Sequence, residues 1–495
     1  MRLDLLGQER LLISPPAAAA ARRGVLLFPQ SYGVGMASLA LHTLYAALNA
    51  TGEMAWERVF AGPGVAQAGR GALCSLESGT PLREFDVIAI TSSYELDWPT
   101  VPAALAAGGV APLRQDRRAA GGPLVLMGGP AISAAPLPLA AIYDAAYIGE
   151  VEPVLPELRG ALLLDRREET LERLAAIPGF FVPESPPVGR AAAPAPPAQG
   201  SLPRRCARHL DDFETASVFL TPGSEFPHRF LVEIGRGCGR SCRFCLARQL
   251  YRPLRWRSLS CIMETVRRGL QYTNEVGFIA AAVSDYPDLP GLCAALEALP
   301  PQVSLSTSSI RLETASAELL GLLAHSGQKT VTFAPEAATE RLRAAIGKSL
   351  PDDALCAAIE RAAAAGLTRV RLYCMVGLPT ETAEDREALP ALARRLTEMF
   401  PRLVFHYSVG AFSPRPHTPF ELEPLPPLRD LRNWLATAQR RLQALRRVEV
   451  TTDSARSILV NLDAAALKPV GWNRLQKPAL PKPEYSTIYE LHVRD

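Results

Sequence analysis

The sequence predicts an α/β protein. A Rossmann-like domain is expected over residues 1–183, a linker over 184–204, a partial (β/α)6 barrel over 205–425 and a small C-terminal extension over 426–495. Three observations carry this reading. Short continuous apolar runs alternate with helical stretches in two separate series, the pattern of parallel strands covered on both faces. Between the series, Ser185–Pro203 is so rich in Pro and Ala that it builds no packed core and reads as an extended linker. The runs end in glycines, polar groups and charges, and open parallel sheets bind ligands at the carboxyl ends of their strands.

The first strand is VLLF (Val25–Phe28), followed by a helix over Gly35–Asn49. DVIAI (Asp86–Ile90), PLVLM (Pro123–Met127) and AAYIG (Ala145–Gly149) are the next strands. Their carboxyl ends carry PQSYGVG (Pro29–Gly35), TSSYELD (Thr91–Asp97), GGP (Gly128–Pro130) and Gly149–Glu150, with glycines that allow close backbone approach to a ligand. A helix over Glu168–Ala176 and the pair Phe180–Phe181 precede the linker. Beyond it the strands are FLVEI (Phe230–Ile234), GFIAAAV (Gly277–Val283), VSLST (Val303–Thr307), TVTFA (Thr330–Ala334), VRLYCMV (Val370–Val376) and LVFHYSVG (Leu403–Gly410). Asp352–Asp353 and Gly366 supply the acidic start and glycine stop of an intervening helix. An amphipathic helix with Trp434 and many arginines spans Leu428–Arg447, and VEVTTD (Val448–Asp453) follows. The Pro-rich Lys468–Asp495 is expected either to wrap the core or to be partly disordered.

At 495 residues the chain has room for roughly three domains, and 48% hydrophobic content supports a large core. A net charge of +3 is too mild to argue for nucleic acid by itself. Nine cysteines without a paired-spacing framework fit a reducing compartment. No apolar run reaches the ~18 residues of a membrane span. Early acidic residues and Pro15–Pro16 make a poor secretory signal. The expectation is a cytoplasmic protein with no membrane partner.

Cys238, Cys242 and Cys245 stand in EIGRGCGRSCRFC with Cys-x3-Cys-x2-Cys spacing. Three thiolates in one short loop can hold a [4Fe–4S] cube by three corners and leave the fourth iron open. Structural zinc wants four protein ligands, and Cys206 and His228, the nearest extra candidates, lie outside the loop. Gly235, Gly237, Gly239, Arg240 and Ser241 around the triplet are loop residues and do not suit buried core cysteines. The cluster is the preferred reading and zinc the second. The scattered Cys206, Cys261, Cys293, Cys356 and Cys374 read as mostly structural.

The triplet, with Phe244 just before its last Cys, resembles the signature of the radical S-adenosylmethionine (SAM) enzymes. The resemblance implies that the open iron chelates the amino and carboxylate groups of SAM. It also implies that an electron from the cluster breaks the sulfonium bond, and that a 5′-deoxyadenosyl radical attacks an unreactive C–H position. A reducing partner such as flavodoxin or ferredoxin is implied as well. By the same resemblance Phe244 lies near the adenine. Ser284 and Asp285 follow the second barrel strand, where many members have a Gly-Gly-Glu turn that this chain lacks. Ser309 and Arg311 follow the third strand, where the SAM carboxylate and ribose bind, and a salt bridge to a helix acid is the alternative for Arg311. Glu336 is a candidate for the ribose hydroxyls, with the N-terminal charge of a helix over Ala337–Ile346 as its alternative. Gly377 is placed where family backbone packs on adenine. No catalytic residue acting on the substrate is assigned.

SPRPHTPFE (Ser413–Glu421), YPDLP (Tyr286–Pro290), APEA around Glu336 and GLPTE (Gly377–Glu381) are similar to one subset of radical SAM proteins with a cobalamin-like N-terminal domain. Residues 24–150 resemble that cobalamin-binding domain but depart from its Asp-x-His-x-x-Gly motif. Gln30 and Tyr32 stand at the Asp and His positions relative to Gly35, and His42 falls inside the expected helix. Either cobalamin binds without a protein ligand or the fold persists without the cofactor. Methyl transfer follows in the first case, and other radical modification of RNA or protein is open in the second. In SPRPHTPFE, Arg415 or His417 faces substrate, or the loop is a rigid connector. Arg248, Arg252, Arg255 and Arg257, interleaved with Tyr251 and Trp256, could hold RNA, but a solvated approach to the first helix is the commoner explanation. An iron–sulfur carrier or sensor that never cleaves SAM is the competing class.

Overall fold

Parallel strand pairing dominates both halves of the computed structural model, which describes residues 2–17, 20–62, 64–69, 71–183, 204–307 and 310–453. The expected linker and the tail after residue 468 lie outside the described residues. The chain divides into two compact units that meet in sequence at His228 and Arg229.

The N-terminal unit holds a six-stranded sheet. Its strands are β1 (Arg22–Phe28), β2 (Met54–Phe60), β3 (Val87–Thr91), β4 (Leu124–Gly128), β5 (Ala145–Tyr147) and β6 (Phe180–Phe181). Their order is β2-β1-β3-β4-β5-β6, parallel except for β6, which runs against β5. Val25 and Leu27 bury on one face with Ile88 and Val125, and Leu26 on the other with Leu41, Tyr45 and Trp56. Burial on both faces is why β1 reads as an unbroken apolar run. The helix expected over Gly35–Asn49 is two helices, Tyr32–Met36 and Leu39–Asn49, because Ser38 between them is extended.

Strand β2 is absent from the apolar-run reading because Glu57 and Arg58 interrupt it. Both are buried and paired. Arg58, 1% exposed, donates to Glu9 at 2.7 and 2.8 Å and to Glu77 at 2.6 Å. Glu57 accepts from Arg23 at 2.5 Å and Ser78 at 2.6 Å. Residues 205–228, expected in the barrel domain, instead join this unit. Val218 and Phe219 enter its core, Phe219–Leu220 pairs antiparallel with Arg10–Leu11, and Arg205 bridges Gly149.

The second unit has seven parallel strands in two sheets. One, ordered β9-β8-β7, comprises β7 (Phe230–Glu233), β8 (Glu275–Ile279) and β9 (Ser304–Thr307). The other runs β10 (Thr330–Glu336), β11 (Arg369–Val376), β12 (Val404–Ala411) and β13 (Val448–Thr452). Within each sheet, strands consecutive in sequence are neighbours, as in a βα barrel. Strand β8 stops at Ile279, short of the expected Val283, because Val283–Asp285 coils into a 3-10 turn. Segment 426–453, expected as a separate extension, belongs to this unit. Leu431, Leu435 and Leu442 of the helix Leu428–Gln443 enter its core, and β13 adds a strand beside β12. On β11 and β12, Val370, Leu372, Phe405, Tyr407 and Val409 fill that core, and alternate residues take the opposite face. No described helix is long and apolar enough to cross a membrane.

Candidate functional site

Strand β7 leads into Gly235–Arg236, which pairs antiparallel with Arg255–Trp256 and closes the loop that carries the three cysteines. Gly237 has φ +94°, and a Cβ there would stand 2.1 Å from the Tyr251 carbonyl oxygen, so the turn requires glycine. Glu233 anchors the base, accepting from Arg236 at 2.8 and 3.0 Å and from Arg257 at 3.1 Å. On the far side, the Arg243 N–H donates to the Ile346 carbonyl at 2.9 Å and Ser241 Oγ to Gly347 at 3.3 Å. The Arg243 guanidinium also lies 4.7 Å over the Phe420 ring, and Phe244 packs against a cluster containing Leu342, Ile346, Phe412 and Phe420. Held this way, Cys238, Cys242, Phe244 and Cys245 line one cavity of about 550 Å³, whose wall continues over residues of β10 to β13.

None of the three cysteines forms a disulfide. Burial pushes the Cys242 and Cys245 thiols up. Lys348 and Arg311 oppose this at Cys242, and backbone N–H groups of Arg248 and Ala247 oppose it at Cys245. The donor set fits a [4Fe–4S] cluster: three soft sulfurs on one wall, with cations and N–H donors to balance their negative charge. Among the described residues no three His, Cys, Asp or Glu side chains gather as ligands of a single ion. A cube is held through separate irons, so its ligands need no common point.

Two ion pairs flank the thiols on the cavity wall. Glu336 ends β10 at φ +68°, past an irregularity in its pairing with β11, and accepts from Lys348 Nζ at 3.0 Å. Lys348 also donates to the Ala334 carbonyl. The following helix starts at Glu340 with Thr339 as its cap, so Glu336 lies outside its first turn and the helix-charge alternative falls away. Arg311 donates to Glu313 at 3.1 Å and its Nε stands 3.6 Å from Asp285. Neither acid lies in an α-helix.

The structure revises three other expectations. Ser284 and Asp285 are not on the cavity wall but behind it. Ser284 Oγ accepts the Arg311 N–H at 2.9 Å and lies 2.9 Å from the Thr314 hydroxyl. Asp285 accepts from Thr314 at 2.8 Å and pairs with Arg240 at 3.3 Å. They position Arg311 and the cluster loop. Gly377 is also off the wall. Its φ is +80°, its N–H is held by Glu381, and Leu431 packs where a Cβ would be, so Tyr373 and Met375 face the cavity instead. Ser309, with Ser308, lies outside the described residues.

The distinctive SPRPHTPFE loop works as a packed connector through Phe420, and the buried His417 donates its N–H to Glu421 at 3.0 Å. In the basic stretch, Arg255 donates to the Pro253 carbonyl at 2.9 Å and Arg257 to Glu233. Trp256 packs edge-on against Tyr286 at 5.6 Å. These arginines and this ring serve the fold.

At the strand ends of the N-terminal unit, Gln30 Nε2 donates to Asp97 Oδ1 at 2.7 Å with both side chains buried, and burial pushes the Asp97 carboxyl up to about 7. The Tyr32 hydroxyl donates to Glu9 at 2.7 Å and lies 3.0 Å from Thr221 Oγ1. His42 has both ring nitrogens engaged, with the Met36 carbonyl at 3.1 Å and the Val218 N–H at 3.0 Å. Burial pushes its imidazole down to about 4, so it is a neutral packed histidine. The close approach that Gly149 permits, at φ +125°, is taken by the backbone of Arg205.

Residues 232–393 match the family model of the radical SAM superfamily, and residues 40–183 match that of the N-terminal region of radical SAM proteins. Over 402 residues the chain is 30% identical to an uncharacterized protein of Methanocaldococcus jannaschii, covering 80% of this chain and 79% of that one. The chain belongs to the radical SAM superfamily. Its fold is similar to the radical SAM methyltransferase TsrM from Kitasatospora setae, solved with tryptophan substrate and a SAM analogue (TM-score 0.55, 15% identity, 81% of this chain and 75% of that chain). It is also similar to OxsB, a cobalamin-dependent radical SAM enzyme solved with aqua-cobalamin (TM-score 0.53, 13% identity, 78% and 53%).

In this radical SAM chain, sequence reasoning missed Lys348, Glu313, Tyr373, Ser408, Thr451 and Asp453, all on the cavity wall. A signal existed for two of them. Tyr373 and Ser408 interrupt the apolar runs of β11 and β12 at the alternate positions that face away from the helices. Nothing local marks Lys348 or Asp453.

Proposed function

We propose that this protein reductively cleaves SAM at a [4Fe–4S] cluster held by Cys238, Cys242 and Cys245, and uses the resulting radical on an organic substrate in the barrel cavity. The observation that carries this is the shared wall: three thiols, Phe244 and two ion pairs around one cavity at the strand ends. Bound there, the cluster would supply the single electron that splits the SAM sulfonium. The chain's own residues bind and orient. Arg311 presents a planar guanidinium suited to a carboxylate, held in place by Asp285 and Glu313. Glu336 offers acceptors for hydroxyl donors, with its charge balanced by Lys348. Phe244 gives a flat apolar surface, and the barrel wall keeps water from a reactive radical. A flavodoxin or ferredoxin delivers the electron. The test is anaerobic 5′-deoxyadenosine formation with dithionite and SAM, abolished in Cys242→Ala. A cluster that cycles between redox states without cleaving SAM under any reductant would make the protein an electron carrier.

A second reading adds cobalamin to the N-terminal unit, where it would serve as a methyl carrier. The β2-β1-β3-β4-β5 order supports it, because such sheets bind ligands at the β1/β3 switch point. The fold likeness to TsrM and OxsB supports it too. With His42 internally engaged, binding would proceed without that imidazole. Hydroxocobalamin is titrated into the cluster-reconstituted protein and the spectrum is read after gel filtration. Stoichiometric retention makes methyl transfer the leading reaction, and no retention makes this unit a scaffold.

A further inference from the structure

The charges on the cavity wall do not all balance. Glu313 faces Arg311 and Glu336 faces Lys348. Asp453, directly after β13, is the remaining carboxylate among the described residues of the wall, and none of those residues forms an ion pair with it. Arg415, on the 413–421 loop, bears on it electrostatically. The barrel makes room for this carboxylate. Position 410 on the neighbouring strand β12 is glycine, and a Cβ there would stand 2.7 Å from Asp453 Oδ2. With that space open, Oδ2 lies across β12 and accepts the Ala411 N–H at 3.1 Å. Among the described residues, Oδ1 takes no hydrogen bond. Below it the hydroxyls satisfy one another: Thr451 donates to Ser408 at 3.3 Å and sits 3.2 Å from His406 Nε2. Met375, Val409, Ala411 and Phe244 make much of the surrounding wall apolar. Burial pushes the Asp453 carboxyl up, against the Ala411 N–H and Arg415, as expected of an acid short of partners.

We propose that Asp453 is the substrate-recognising carboxylate of the cavity and that the substrate presents it with a protonated amine. An acid held in a largely apolar wall is costly unless a cation or strong donor meets it. SAM is accounted for by the groups on the cluster side, so that partner comes with the substrate. The assignment rests on the cavity being the reaction chamber.

The test uses cluster-reconstituted full-length protein with SAM and two probes of equal shape, phenethylamine and 2-phenylethanol, with binding read by calorimetry. The amine is expected to bind at least about tenfold more tightly than the alcohol, and Asp453→Asn to bring the two within about threefold. Gly410→Ala, which evicts the carboxylate from its notch, should narrow the gap in the same way. Iron content and thermal midpoint report whether each variant is folded. If a variant does not fold, the wild-type amine preference still decides. Equal binding of the two probes, no binding of the amine, or an undiminished preference in folded Asp453→Asn overturns the proposal. Dithionite-driven 5′-deoxyadenosine formation in the same preparation tests the radical reading separately, since calorimetry does not depend on it.

Discussion

In the N-terminal unit most of the polar groups at the strand ends find partners within that unit, Gln30 with Asp97 Oδ1, Tyr32 with Glu9 and Thr221, Gly149 with the backbone of Arg205, while Asp97 Oδ2 is buried without a hydrogen bond among the described residues. In the barrel unit the strand ends instead surround about 550 Å³ of space, with thiols, two ion pairs and the Asp453 carboxylate on its wall. Both are parallel sheets, and the strand-end rule points equally to both. The difference shows that a polar residue after a strand is only a candidate. Whether neighbours have already satisfied it decides whether it can take a ligand.

Breaking the open end should unseat the cluster. Gly237→Ala puts a Cβ against the Tyr251 carbonyl in a left-handed turn, so the cluster loop must move. Iron retained after reconstitution should drop at least about tenfold, a cost of ~1.4 kcal/mol or more. Unchanged iron would mean that the loop tolerates rearrangement.

Next comes the closed end. The Asp97 carboxyl titrates near 7 in the fold and near 4 in the unfolded chain, so only the folded state holds this proton between those values. Its contribution therefore falls as pH rises from about 4 to about 7 and is constant above, by up to roughly 4 kcal/mol. Asp97→Asn keeps the acceptor for Gln30 and removes the titration. Its thermal midpoint should exceed that of the wild type above pH 7, with the advantage vanishing near pH 4. Parallel pH profiles for the two proteins would sink this account.

His42→Ala removes two internal hydrogen bonds and a packed ring, and should cost ~2–3 kcal/mol in denaturant unfolding. If cobalamin binds, its retention should be the same in this variant. Selective loss of cobalamin from a still-folded His42→Ala would make His42 a ligand and erase the contrast between the two units.

The smallest effect is expected at Lys348. Lys348→Met leaves Glu336 unpaired on the wall and should lower kcat/KM for SAM cleavage about 10–50-fold, roughly 1.4–2.3 kcal/mol. A variant as active as the wild type would show that the pair does not serve SAM.

Much of this was legible because burial on both faces writes a strand as an apolar run, as in Val25–Phe28 and Val370–Val376. The cysteine triplet was legible because its ligands are local. Strand β2 was not, because Glu57 and Arg58 look like surface residues until Glu9, Arg23 and Glu77 arrive from elsewhere in the chain. The same limit explains Ser284, Asp285 and Gly377. Sequence placed them at strand ends, but Arg311, Thr314, Glu381 and Leu431 decide that they brace the site and do not line it. Lys348 and Asp453 matter only for what faces them across the cavity, and no local pattern encodes that.

Strand β13 also has a consequence in time. The cysteine loop leaves the ribosome about 200 residues before Val448–Thr452 can pair with β12, an interval of roughly 10–40 s at usual elongation rates. During that interval the wall holding Asp453 does not exist. The three cysteines are therefore on the chain before the chamber they line is complete.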